Sequence, residues 1–272
     1  MSNVVAKQAT TPTSTVGEEN YLIGQNQQTK AVRAVPWYCR YPPPYAIVAT
    51  SACQLIAYGV AKNETIGYLR FDPNNQKEVW RFVTYMLLHN NIVHLILNIV
   101  IQCLYAIFLE KHQGILRVIA LYFGCGIVGA LVTACVRPDL VIGASAGIYA
   151  LLISYLSHII LNYDTCKYKL LVCLTVIIIV AFDVTFYFVR FLYNDKVIIS
   201  EGAHVGGAIS GLLLGLILYQ GDDKNAKIRN RIVSWCAFVT FVILIVSFLI
   251  VNFQVRRCTP DNQIKVKYIY VC

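Results

Sequence analysis

Charge is what this sequence has least of. Only 14% of its 272 residues are Asp, Glu, Lys or Arg, while 57% are hydrophobic. A soluble domain carries far more, roughly a quarter of its residues. No CxxC pair occurs among the ten cysteines, so no thiolate metal site is expected. Residues 1–36 are polar and rich in Thr, Gln and Asn, with no apolar stretch after the start. The expectation is a disordered tail over residues 1–44, not a cleaved signal peptide. No internal repeat is present either, and no symmetric pair of Gly-interrupted segments of the kind a transporter shows.

Long hydrophobic runs are abundant. A span of the bilayer needs roughly 20 apolar residues. The sequence predicts seven: Tyr45–Ala61, Val93–Leu109, Ile115–Val136, Ser145–Leu161, Tyr168–Val189, Ala203–Tyr219 and Ile232–Phe253. The first is the weakest, because Thr50, Ser51 and Gln54 interrupt it. Only helices or closed barrels satisfy the backbone in lipid, so the predicted architecture is one all-α polytopic bundle. It divides into a six-span core over residues 45–219, a loop and seventh span over 220–253, and a tail over 254–272.

The net charge of +9 first suggests an acidic partner such as nucleic acid. The basic residues lie in short loops and tails, with no basic face and no nucleic-acid motif, so none is expected. Basic clusters beside spans set orientation, but here Lys and Arg divide almost evenly between the two sides. The strongest short cluster, Lys224, Lys227, Arg229 and Arg231, falls on the cytosolic side if the N-terminus is cytosolic. Seven cysteines in or beside spans read as small packing residues. Cys258 and Cys272 share the C-terminal tail, where an oxidising compartment would let them pair. Cys39 precedes the first span, a position compatible with palmitoylation. The Asn63-Glu64-Thr65 sequon lies so close to that span that its use is not expected.

Ionisable residues inside a membrane are costly and mark function by default. HNNIVHLILN places His89, His94 and Asn98 at the start of the second span. His94 and Asn98 are four apart and share one helix face. GASAGIYALL places Ser145 at the start of the fourth, and AHVGGAISGLLLG places His204 at the start of the sixth. Consecutive spans alternate direction, so spans two, four and six run parallel. Their polar N-terminal ends therefore lie at one depth.

His204, Gly207, Gly211 and Gly215 repeat every three or four residues. Such a smooth face lets helix backbones approach closely. Its expected partner is the fourth span, with Ala146, Gly147 and Ala150. That packing would bring His204 towards Ser145, and Tyr149 on the same face would stack on the imidazole. A serine needs a base to become nucleophilic, and a tetrahedral intermediate needs donors for its oxyanion. His94, the Asn98 amide and the Ser145 backbone N–H are candidate donors. Gly143 and Ala144 allow a tight entry to the fourth helix, whose positive end favours the same negative charge.

Each motif alone also reads as packing. Gly, Ala and Ser are ordinary interface residues in membrane helices, and His94 and Asn98 fit interhelical hydrogen bonding. Asp183, inside the fifth span, fits a proton relay or substrate contact. The reading favoured for it is a carboxylate facing the bundle, satisfied by a hydroxyl or protonated. His158 reads as interfacial, Gln102 as a packing hydrogen bond, and the Phe182, Phe186, Tyr187 stripe as core or lipid-facing.

Taken together, VWRFVTYMLLHNNIVHLILN, GASAGIYALL and AHVGGAISGLLLG resemble the rhomboid intramembrane serine proteases, in that family's order and spacing. The resemblance covers roughly residues 45–219. It implies a Ser145–His204 dyad with no catalytic acid, no cofactor and no metal. It implies an oxyanion site from His94, Asn98 and the Ser145 amide, with Tyr149 packed on His204. It implies that Trp80 and Arg81 belong to a structural loop lying partly in the membrane, that His89 is structural, and that Gly207 and Gly211 are packing glycines. The seventh span and Asp183 look most like the eukaryotic secretase-type members. Those have a cytosolic N-terminus and a lumenal or exterior active site in the secretory pathway or plasma membrane. They cut single-span membrane proteins and release their ectodomains. The sequence departs from the common pattern at Ala146, where many members have Gly. The short N-terminal tail lacks a calcium-binding loop, so no calcium control is expected. The competing readings are an inactive member that binds transmembrane clients and, last, a transporter.

Overall fold

The structure, a computed structural model, describes residues 44–136, 140–166, 168–192, 201–221 and 226–258. The expectations for both tails, Cys39 and Cys272 lie outside these residues, as do those for the Cys258, Phe186 and Tyr187 side chains. Nine α-helices run through the described residues, α1 (Tyr45–Val60), α2 (Asn63–Leu69), α3 (Arg81–Thr84), α4 (Ile92–Gln113), α5 (Ile115–Val136), α6 (Ser145–Leu161), α7 (Lys169–Leu192), α8 (Glu201–Leu218) and α9 (Lys227–Cys258), with two short 3-10 helices at Pro73–Asn75 and Tyr85–Leu87. Among the described residues the extended pairing is one isolated bridge, Phe71 with Val141. The chain is an all-α polytopic bundle. By length and composition α4, α5, α8 and the Lys227–Asn252 part of α9 can each cross a membrane, and α1 and α6 are shorter apolar helices.

The predicted runs fall on helices because nothing in them competes with the intrahelical ladder. α5 and α6 begin and end where the apolar runs do. α4 is longer than its run at both ends. At its start the Asn91 side chain accepts from the His94 N–H at 2.8 Å and caps it. At its end Gly114 takes φ +84°, a conformation open to glycine. Its N–H closes on Glu110 O at 2.9 Å, and α5 follows at once.

The polar residues that weaken the first run all face inward. Thr50, Ser51 and Gln54 are buried, while Val48, Leu55 and Ile56 on the other side of α1 are exposed. Thr50 and Ser51 hydroxyls donate to the carbonyls one turn back. Gln102 Nε2 on α4 donates to Ser51 Oγ at 2.7 Å and to Gln54 Oε1 at 2.8 Å. Tyr122 OH on α5 donates to Gln102 Oε1 at 2.8 Å. Gln54 Nε2 in turn reaches Met86 O at 3.2 Å. Three helices are thus joined through Gln102, and the loop before α4 is tied in through Gln54; both glutamines are fully buried. Gln102→Leu should leave Gln54 Oε1 without this donor and cost about 1–3 kcal/mol. Thermal unfolding in detergent should show a lower Tm for it and almost none of that loss for Leu104→Ala on the exposed face of α4.

Parallel alignment of α4, α6 and α8 follows from contacts at both ends. The His94 ring lies beside Gly143, just before α6. Further along, Tyr105 and Phe108 of α4 meet Tyr155 of α6. At the far end Gln113 Nε2 is 3.0 Å from His158 Nδ1. His158, in the last turn of α6, is buried against its neighbours. It sits in a polar cluster with Gln113 and Asn162 under the Gln220 carbonyl.

Between α6 and α8 the register is glycine against backbone. A Cβ on Gly207 would stand 2.2 Å from Ala146 O, and one on Gly211 would stand 2.5 Å from Ala150 Cα. A Cβ on Gly215 would meet Ser157 Oγ at 2.6 Å. The small-residue face is as expected, with one correction. Gly147 does not serve the histidine helix: a Cβ there would meet Met86 Cε and Tyr122 Cε2, each at 2.7 Å. It opens room on the opposite side of α6, for the tyrosine of the Gln102 network.

Candidate active site

Ser145 is the first residue of α6. Ala144 at the N-cap provides no side-chain cap, and the first turn of any helix leaves its N–H groups without intrahelical partners. The Ser145 N–H therefore belongs to an uncapped, positively polarised end. The approach to it is tightly built. Phe71 and Val141 exchange two backbone hydrogen bonds, at 3.0 and 3.1 Å, and Gly143 N–H donates to Tyr85 O at 3.0 Å. Tyr85 is itself buried, with its hydroxyl donated to Gly126 O at 2.8 Å. Gly143 has φ +120°, and a Cβ there would lie 3.0 Å from His94 Cε1. Both conformation and space require glycine at this position.

The loop that supplies Phe71 and Tyr85 is pinned by Arg81. Its buried guanidinium donates to Gly67 O at 2.7 Å and Arg70 O at 2.9 Å, and it pairs with Glu78. Trp80 is partly exposed, lies 5.3 Å from the Tyr68 ring and donates Nε1–H to Tyr68 O at 3.4 Å. Trp80 and Arg81 thus organise a structural loop. Its next tie is to α9, where the Gln76 and Asn252 side chains form a reciprocal amide pair.

His94 and Asn98 stand one turn apart on α4. The Asn98 Nδ2 lies 2.9 Å from His89 Nε2. An amide nitrogen only donates, so this nitrogen of His89 accepts and carries no proton. Burial, reinforced by the adjacent His94, lowers the His89 pKa to about 4 and keeps the ring neutral. The His89 ring also meets the His94 ring edge to face at 5.2 Å. His89 therefore orients both residues of the pair.

His204 stands on the first turn of α8. Its ring is stacked on Tyr149 at 4.6 Å, with 21° between planes. Tyr149 is one turn beyond Ser145 on α6, so serine, tyrosine and imidazole lie along one helix face. His94 is near enough for electrostatic interaction with His204. Among the described residues Ser145 Oγ makes no hydrogen bond to His204. His204 Nδ1 is instead engaged by Asp183 Oδ2, at 3.0 Å.

The Ala146 departure has a local reason. Its Cβ is fully buried and points at Gly129 of α5, where an added Cβ would stand 2.9 Å away. The extra methyl fills space left by a glycine on the neighbouring helix and leaves the turn before Ser145 untouched.

A family model for the Rhomboid domain matches residues 76–221, more than half of the chain. This chain belongs to the rhomboid family. It is 32% identical over 200 residues to Rhomboid-related protein 1 of Caenorhabditis elegans, covering 72% of this chain and 56% of that protein. It is 30% identical over 220 residues to mouse Rhomboid-related protein 2, covering 74% and 72%. Another match, Inactive rhomboid-related protein 2 of Caenorhabditis elegans, is 28% identical over 221 residues, covering 74% and 62%. The chain thus spans little more than half of the first of these rhomboid relatives. Family membership accounts for the polytopic membrane fold, and the family includes proteins named as inactive.

One contributor to this site, Tyr85, gave no sequence signal: it acts through its backbone carbonyl, which is invisible to motif reading. Asp183 stood out in the sequence as an intramembrane carboxylate, but it lies far from every motif, and only the packing of α7 brings it to His204.

Proposed function

We propose that this chain is an intramembrane serine endopeptidase that cuts transmembrane segments of single-span membrane proteins and releases their ectodomains. The observation that carries the reading is the His204 imidazole stacked on Tyr149, one turn from Ser145 at an uncapped helix start. Ser145 Oγ attacks the scissile carbonyl carbon while its proton passes to His204 Nε2. The carbonyl π pair moves onto oxygen, where the Ser145 N–H, the Asn98 amide and His94 receive the charge. Collapse breaks the C–N bond, and the imidazolium returns its proton to the leaving amine. Water, activated by the same imidazole, then frees the acyl group.

The wider setting belongs to the same proposal. Six helices, α1 and α4 to α8, form the catalytic unit, and α9 is a seventh span. The N-terminus is cytosolic, the site opens to the lumen or exterior, and the compartment is the secretory pathway or plasma membrane. Trp80 and Arg81 lie in a loop partly embedded in the bilayer. A second reading, an inactive client-binding protein, is favoured by the match to a relative named inactive.

A fluorophosphonate probe separates the two. The purified protein should be labelled, and Ser145→Ala and His204→Ala should each lose the label. Labelling that persists in both variants would sink this mechanism, and an unlabelled wild type would favour the inactive reading.

A further inference from the structure

Asp183 lies on α7, and its Oδ2 is the meeting point of three helices. His204 Nδ1 of α8 is 3.0 Å from it, and the Tyr149 hydroxyl of α6 donates to it at 2.6 Å. The carboxylate is one-third exposed and the imidazole 12% exposed. Elsewhere α7 turns mostly apolar side chains outward, among them Leu170, Leu174, Ile178 and Phe182. A carboxylate within such a helix is expensive, and here it is spent on the one imidazole that the hydrolytic reading needs.

We propose that Asp183 is a positioning residue of the hydrolytic site, and that Tyr149 fixes Asp183 as well as stacking on His204. This rests on the Ser145–His204 reading above. A neutral imidazole has one N–H, on either nitrogen. An acceptor on Nδ1 holds the proton there, and Nε2 is left with the lone pair that takes the Ser145 proton. When Nε2 is protonated the ring is a cation, and the adjacent carboxylate stabilises it. The proton returns from Nε2 to the amine nitrogen as the C–N bond breaks, so Asp183 gains and loses nothing. The arrangement is a dyad with an orienting acid, where the family resemblance implies none. Tyr149 is neutral and donates. Among the described residues His94 of α4 also bears electrostatically on His204, and Glu201 stands three residues earlier on the same helix.

The alternative is that Asp183 only ties α7 to the bundle. Cleavage of a single-span substrate by the full-length protein, measured from pH 5 to 9, decides between them. The rate of fluorophosphonate labelling provides a second readout. Asp183→Asn should lower kcat about 10²- to 10⁴-fold at neutral pH with little change in KM, because the wrong tautomer is then favoured. The acid limb of its kcat/KM profile should move to lower pH, since no carboxylate favours the charged ring. Tyr149→Phe keeps the ring, removes the hydroxyl from Asp183 and should move that limb slightly the other way. A loss in Asp183→Asn that only tracks lost folded protein, with an unmoved profile, would overturn the proposal. So would unchanged kinetics. If Asp183→Asn does not fold, an unmoved Tyr149→Phe profile overturns it alone. Cleavage or labelling that survives Ser145→Ala, or a wild type that does neither, would instead bring down the underlying reading.

Discussion

Changing Ser145 to alanine is expected to reduce substrate cleavage on the order of 10⁶-fold, whereas Asn98→Ala should cost roughly 10²- to 10³-fold. The difference follows from what each group does. In the proposed mechanism Ser145 forms the bond, and nothing else near the start of α6 would replace its hydroxyl: Gly143, Ala144, Ala146 and Gly147 carry no nucleophile. In that mechanism Asn98 is one donor of a set that also includes His94 and the Ser145 N–H, so its loss would leave part of the oxyanion stabilised. Its amide is also held by His89 at 2.9 Å. His89→Ala should therefore lower kcat in the same direction without touching substrate. Quantitative cleavage with purified variants at matched folded concentration tests the order. Equal losses for Ser145→Ala and Asn98→Ala, both small, would argue for binding without catalysis.

The helices were legible because lipid imposes long apolar runs. α5 and α6 start and stop where their runs do. The approach of His94 to the start of α6 and of His204 to Tyr149 was legible too, because alternate spans run parallel and each motif opens one. What the sequence concealed depends on rotation about a helix axis or on a backbone group. Gly147 was assigned to the α8 side, but one position along a helix is a turn of about 100°, and it faces Tyr122 instead. His158 was placed near the end of its span, where the structure has it, but its burial against Gln113 and Asn162 was hidden, since no periodicity links them. Asp183 was read as a carboxylate facing the bundle, satisfied by a hydroxyl or protonated. Tyr149 provides that hydroxyl, but the imidazole beside it required knowing how α7 packs.

Gly207→Ala should be among the most damaging single-methyl changes in the molecule. The added Cβ would stand 2.2 Å from Ala146 O and 2.9 Å from Ala146 C. These are backbone atoms of the turn that begins with Ser145, so no rotamer change relieves the contact. The helices must part, at a cost of roughly 1–3 kcal/mol or more. Gly211→Ala meets the Ala150 backbone in the same way, at 2.5 Å. Gly59→Ala is the control: nothing lies within 4 Å of its Cβ, and alanine favours the helix by about 0.5–1 kcal/mol. Thermal unfolding in detergent should rank Gly207→Ala and Gly211→Ala well below wild type, and Gly59→Ala level with it or slightly above. Activity separates the two damaging sites further. Parting the helices at Gly207 moves His204, one turn away, off Tyr149 and away from Ser145, whereas Gly211 lies a turn deeper. At a temperature where all variants remain folded, Gly207→Ala should lose more cleavage than Gly211→Ala. The reverse order would mean that the α6–α8 contact holds the bundle together without setting the distance between serine and histidine.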